Sequence, residues 1–119
     1  MNTLKKILAT VALSVLPVLA LAHTHLESAQ PANGSTVKSA PAQVMLMFSD
    51  SLALSEVTLE KAGGKPEKLK DLPKDLARHQ RVTLPKLGEG QYVLRYRGVS
   101  EDTHEAKGTL RFTVSAQAR

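Results

Sequence analysis

Short alternating segments, each cut off by glycine or proline, constrain this chain more than any other feature. In Val44-Met45-Leu46-Met47-Phe48, the residues Val44, Leu46 and Phe48 share one face. Val57-Thr58-Leu59 alternates briefly and stops at Gly63-Gly64. Gln80-Arg81-Val82-Thr83-Leu84 alternates again and ends at Pro85. Tyr92, Leu94 and Tyr96 lie opposite Val93, Arg95 and Arg97, and Leu110, Phe112 and Val114 lie opposite Thr109, Arg111 and Thr113. Successive side chains leave a strand on opposite sides, so period two is the mark of a half-buried strand. Pro31-Ala32-Asn33-Gly34 and Leu87-Gly88-Glu89-Gly90 supply turns between them. The pattern predicts an all-β domain, an antiparallel sandwich or barrel. Glu67 to His79 is charged, contains Pro73 and reads as a loop or a short helical turn. Ser115 to Arg119 reads as a frayed tail.

The first 22 residues read as a secretory signal peptide rather than as structure. Lys5 and Lys6 form a positive start, Ile7 to Leu21 an apolar stretch, and Ala20-Leu21-Ala22 an A-x-A cleavage site. The stretch is interrupted by Thr10, Ser14 and Pro17 and is shorter than the roughly 20 residues of a spanning helix. No stable membrane anchor is expected, and residues 23–119 form one small domain.

Without Lys5 and Lys6, 14 basic residues face 11 acidic ones. Lysines at 61, 65, 68, 70 and 74 alternate with Glu60, Glu67, Asp71 and Asp75, a solvated mixed surface rather than a nucleic-acid stripe. Two tyrosines and no tryptophan offer little stacking for single strands, so no nucleic acid is expected as a partner. Cysteine is absent, which removes both disulfides and thiolate, the usual soft ligand for Zn(II) or Cu(I).

Cleavage after Ala22 places His23 at the new terminus. That residue then offers two nitrogen donors, its α-amine and its imidazole. Asp102-Thr103-His104 adds a carboxylate and a second imidazole. Residues two apart put their side chains on one side of an extended segment, so Asp102 and His104 can meet one ion while Thr103 faces away. Nitrogen and oxygen donors of this kind suit Cu(II). Asp50, after Phe48-Ser49, reads equally as a turn aspartate or a metal-proximal carboxylate. His25 offers a competing geometry, an amino-terminal chelate of amine, backbone amides and third-position imidazole. That geometry needs a flexible end, whereas Leu26 opens a strand. Met45 and Met47 fall on the face opposite the inward set and read as gap-filling cover beneath a loop. His79, among Arg78, Gln80 and Arg81, reads as exposed.

Three blocks then resemble one family. They are His23-Thr24-His25-Leu26 with Ser28 and Pro31-Ala32-Asn33-Gly34-Ser35; Ala40-Pro41 leading to Leu46-Met47-Phe48-Ser49-Asp50; and Gly90-Gln91-Tyr92 through Arg95-Tyr96 to Val99-Ser100-Glu101-Asp102-Thr103-His104, then Gly108 and Phe112. In this order they resemble the CopC-like periplasmic copper-resistance proteins. The resemblance implies a small Greek-key β-sandwich of about seven strands, similar to immunoglobulin domains. It implies a periplasmic location and a Cu(II) site built from the amine and imidazole of His23, the imidazole of His104 and the carboxylate of Asp102. Some members also place an acidic side chain at the position of Asp50. Certain members carry a methionine-rich Cu(I) loop; the matching region, Ser55 to Leu76, contains no methionine, so a Cu(II)-only member is expected.

Three functional classes compete. The first is a non-catalytic Cu(II) carrier or buffer, passing copper to a membrane transporter or another periplasmic copper protein. The second is a copper-dependent oxidative enzyme, because polysaccharide monooxygenases also hold copper with an N-terminal histidine. Those enzymes are larger and need a broad substrate face, for which a small domain with four aromatics leaves little room. The third, a metal-free structural sandwich, explains the fold and the export signal but not His23 with Asp102-x-His104.

Overall fold

The computed structural model describes residues 24–118. These form seven strands and no helix: β1 (Leu26–Gln30), β2 (Ser35–Val37), β3 (Gln43–Lys61), β4 (Glu67–Lys68), β5 (Ala77–Thr83), β6 (Gly90–Ser100) and β7 (Glu105–Val114). No helix among the described residues is long and apolar enough to cross a membrane. The signal peptide expected over 1–22 lies outside the described residues, as does His23.

One strand organises the rest. The first half of β3 pairs antiparallel with β1 through Leu26↔Phe48 and Gln30↔Met45, and with β5 through Val44↔Val82 and Met47↔His79. Its second half pairs antiparallel with β6 from Leu52↔Ser100 to Lys61↔Tyr92, and with β4. The register against β5 shifts between Met47 and Leu52, and that against β6 shifts between Leu54 and Glu56. Such bulges bend and twist a strand, so one chain segment can serve two sheets. The sequence pattern suggests two separate strands here; Ser49-Asp50-Ser51 interrupts the apolar alternation, but the backbone pairing continues through it.

β6 pairs antiparallel with β7, and β2 closes the far edge. The other pairings are all antiparallel, as expected, and one departs from the rule: β2 runs parallel to β7. The turn at Pro31–Gly34 makes this possible by carrying the chain from β1, at one end of the curled seven-stranded sheet, to the other end beside β7. Gly34 takes a φ of 83°, open to glycine and strained for most residues. Its N–H donates to Arg111 O at 2.6 Å, and Arg111 N donates to Asn33 Oδ1 at 2.8 Å.

The alternating residues close the core as the period-two reading requires. Val44, Leu46, Phe48, Tyr92, Leu94, Tyr96, Leu110, Phe112 and Val114 are all buried and form one cluster with Leu52, Val57, Leu59 and Val82. The Phe48 and Tyr96 rings meet edge to face with centroids 5.2 Å apart, joining the first half of β3 to β6. Of the loop and the helical turn expected over Glu67–His79, the structure shows the loop, over 69–76, flanked by β4 at Glu67–Lys68 and by β5 from Ala77. Gln80 ties the end of that segment to the core. The side chain is buried, and its amide Nε2 donates to Leu52 O, to Asp75 O at 3.0 Å and to Ala77 O at 3.2 Å. These carbonyls are satisfied from within the fold without a helix. The tail is also held: Ser115 N donates to Val37 O at 2.9 Å and Ala116 N to Glu89 Oε1 at 3.1 Å.

Gly98 lies where β6 crosses β3, two residues before the Ser100–His104 turn. A Cβ there would stand 2.7 Å from Ala53 O and 2.8 Å from the Leu52 side chain. Gly98→Ala is expected to destabilise the protein by about 1–3 kcal/mol, the usual cost of overpacking. Chemical denaturation checks this, and an unchanged midpoint would contradict the close approach.

Candidate metal centre

β6 ends at Ser100 and β7 begins at Glu105, leaving a tight turn that carries Asp102 and His104. Ser100 closes the turn from both sides. Its N–H donates to His104 O at 2.9 Å, and Thr103 N donates to Ser100 O at 2.9 Å. Its hydroxyl contacts Asp102 Oδ1 and lies 3.1 Å from His104 O. Thr103 is held at φ 69°, a left-handed conformation unusual for a β-branched residue.

The structure does bring Asp102 and His104 together, though by a different device from strand alternation. Neither residue lies in a strand; the left-handed Thr103 reverses the backbone between them. His104 Nδ1 lies 3.1 Å from Asp102 Oδ2, and His104 N donates to Asp102 Oδ1 at 3.3 Å. Both side chains face solvent, 62% and 66% exposed, within reach of a dissolved ion. When Nδ1–H donates to the carboxylate, the imidazole lone pair is on Nε2, the arrangement in which carboxylates orient ligating histidines. Oδ1 accepts two hydrogen bonds, from the Ser100 hydroxyl and His104 N, whereas Oδ2 accepts one and still has a second lone-pair direction.

Those hydrogen bonds set the charge of the site. Ser100 and then His104 hold the Asp102 carboxyl at about 2, against an ordinary value of 3.8. The group is therefore an anion throughout the neutral and mildly acidic range. A depressed native value contributes stability that is complete above 3.8 and lost as pH falls toward about 2.

A cleft of about 420 Å³ opens beside the turn, lined by Thr24, Asp50, Ser100, Glu101 and Asp102. Asp50, from the bend of β3, and Asp102 thus border one space. Thr24, the residue that follows His23, borders it too. Glu101 is a third carboxylate in the lining, and strand alternation gave no reason to single it out. His25 is exposed, and its backbone is tied to β3: His25 N donates to Ser49 Oγ at 3.0 Å and Ser49 N donates to His25 O at 2.8 Å. Among the described residues, no group of three or more His, Asp or Glu side chains is arranged to hold a metal ion.

A family model described as the CopC domain matches residues 26–115. The chain belongs to the CopC family. Copper resistance protein C of Xanthomonas campestris pv. juglandis is 38% identical over 114 residues, covering 87% of this chain and 89% of the relative. Protein YobA of Escherichia coli K12 is 30% identical over 118 residues, covering 95% of each. Among solved structures, PcoC of Escherichia coli, a methionine-rich copper resistance protein, superposes with a TM-score of 0.63 at 28% identity, covering 79% of this chain and 100% of that one. CopC of Methylosinus trichosporium OB3b superposes with a TM-score of 0.70 over 82% of this chain and 98% of that one; at 24% identity it speaks to the fold alone.

Ser100→Ala removes the largest cause of the low Asp102 value. Its carboxyl midpoint is expected to rise toward 3.8, which side-chain carbon NMR across an acid titration reads directly. An unmoved midpoint would show that the serine does not set the charge of the site.

Proposed function

We propose that this chain is a periplasmic Cu(II) carrier or buffer that serves copper homeostasis and resistance without catalysis. In this reading residues 1–22 are a cleaved signal peptide and 23–119 the copper-binding domain. Copper is cargo, held by the amine and imidazole of His23, the imidazole of His104 and the carboxylate of Asp102. The observation that carries the reading is the shared cleft: Thr24, one residue from His23, borders it together with Asp50 and Asp102. The relatives named for copper resistance point the same way.

The chain's own residues divide the work. Ser100 and His104 keep Asp102 anionic, so it meets a divalent cation already charged. Asp102 in turn orients the His104 ring. Asp50 and Glu101 add negative charge at the rim, which favours capture of a cation. The amino-terminal chelate through His25 would need the His25 amide nitrogen to lose its proton and its bond to Ser49. The rigid attachment to β3 therefore favours His23 and His104. An open cleft and exposed ligands suit transfer to a partner, a membrane copper transporter or another periplasmic copper protein.

Calorimetric Cu(II) titration tests the ligand set. His104→Ala is expected to cost far more affinity than His25→Ala, and the reverse order would overturn it. One glycine added before His23 is expected to weaken binding sharply, because the amine moves off the chelate ring. Equal affinities would remove the amine from the site.

Proton competition gives a second test. An α-amine titrates at about 7.7–8.0 and histidine at about 6.5, and both must lose protons to bind. Cu(II) affinity is expected to fall steadily from neutral pH to about 5, while Asp102, near 2, stays charged and contributes nothing to the decline. The copper-induced rise in melting temperature should shrink over the same range. A shift equal at both pH values would argue against nitrogen ligation.

A further inference from the structure

Met45 and Met47 sit on the outward face of β3, alternating with the buried Val44, Leu46 and Phe48. The register adds what alternation does not. His79 of β5 is the cross-strand partner of Met47, and Arg81 is the partner of Met45. Cross-strand partners point to the same face with Cβ atoms about 4.5–5.5 Å apart, and diagonal neighbours remain within reach of long side chains. Two thioethers and one imidazole therefore share a small area of the outer face. Met45 and His79 also line one cleft of about 330 Å³, with Pro73, Asp75, Ala77, Gln80 and Arg81.

These methionines do not fill the core. Both are half-buried on the outward face, where strands ordinarily carry polar or β-branched side chains. Thioethers are soft donors that select Cu(I), and imidazole completes such a set. We propose that Met45, Met47 and His79 form a second metal site, specific for Cu(I), on the outer face of the β1–β3–β5 sheet. It lies outside the Ser55–Leu76 segment and shares no residue with the Asp102–His104 turn, so it stands independently of the Cu(II) reading. Met47 Sδ leans toward Ser28 Oγ at 3.7 Å, so ligation requires it to swing across β3 toward His79. Three rotatable bonds allow this without moving the backbone. Asp75 and Arg81 bring opposite charges to the cleft wall and leave its net charge near neutral.

The test is anaerobic Cu(I) titration of the exported protein against the chromogenic chelator bicinchoninate, with the methionine ε-methyl resonances followed by NMR. Met45 and Met47 are the only methionines after residue 1, so two signals report. Both are expected to shift on Cu(I) addition. Met47→Leu and His79→Ala should each weaken binding by about tenfold or more, and the double Met45→Leu/Met47→Leu variant should remove it, each 1.4 kcal/mol being a factor of ten. His104→Ala should leave Cu(I) binding intact. Unshifted methyl signals in the parent protein would overturn the proposal whether or not the variants fold. So would Cu(I) binding that survives the double variant or is lost in His104→Ala.

Discussion

The bend of β3 between Phe48 and Leu52 is the constraint on which the site depends. Before it, Ser49 holds the backbone of His25 at the approach to β1. After it, Leu52 pairs with Ser100, the last residue of β6 and the closing residue of the Asp102–His104 turn. Four residues of one strand thus join the segment carrying Thr24 and His25 to the turn carrying Asp102 and His104, the two segments that the proposed copper site draws on. The bend is held from inside by Phe48 against Tyr96 and by Gln80 on Leu52 O.

The same strand links burial to chemistry through its two faces. Its inward residues pack both sheets into one cluster, and burying apolar area is the dominant favourable contribution to stability. Its outward residues are released from packing and are available for ligands. Asp50 stands at the bend, and Met45 and Met47 stand on the outer face before it. Hard oxygen and nitrogen donors gather around the turn, whereas soft sulfur donors gather on the sheet face. Because the sets share no residue, one protein could hold copper in two oxidation states without the sites competing for ligands.

Legibility in the sequence followed the range of the interaction. Alternation is a one-residue property, so the inward sets of β3, β6 and β7 could be read without a partner strand. Asp102 and His104 are near neighbours, and that their side chains meet was legible even though the device was wrong. Left-handed Thr103 cannot be inferred from a β-branched residue, which ordinarily avoids that region. The unbroken β3 was hidden because Ser49-Asp50-Ser51 looks like a turn when backbone pairing is unknown. Glu101 was missed because nothing in its own segment reveals the cleft; Thr24 and Asp50, distant in sequence, form the other wall.

The sequence alone determined the class of fold, the inward faces and the donor types on offer, because periodicity and side-chain chemistry are local. It also carried the family, since Asp102-x-His104 and the segments before it keep their order along the chain. Only the tertiary structure decided which donors share a space. The parallel seating of β2, the facing of Met47 by His79 and the meeting of Thr24 with Asp50 and Asp102 all rest on register between distant strands. Register is set by how bulges and turns let two sheets close over one core. That is a property of the whole packed chain, and no single segment contains it.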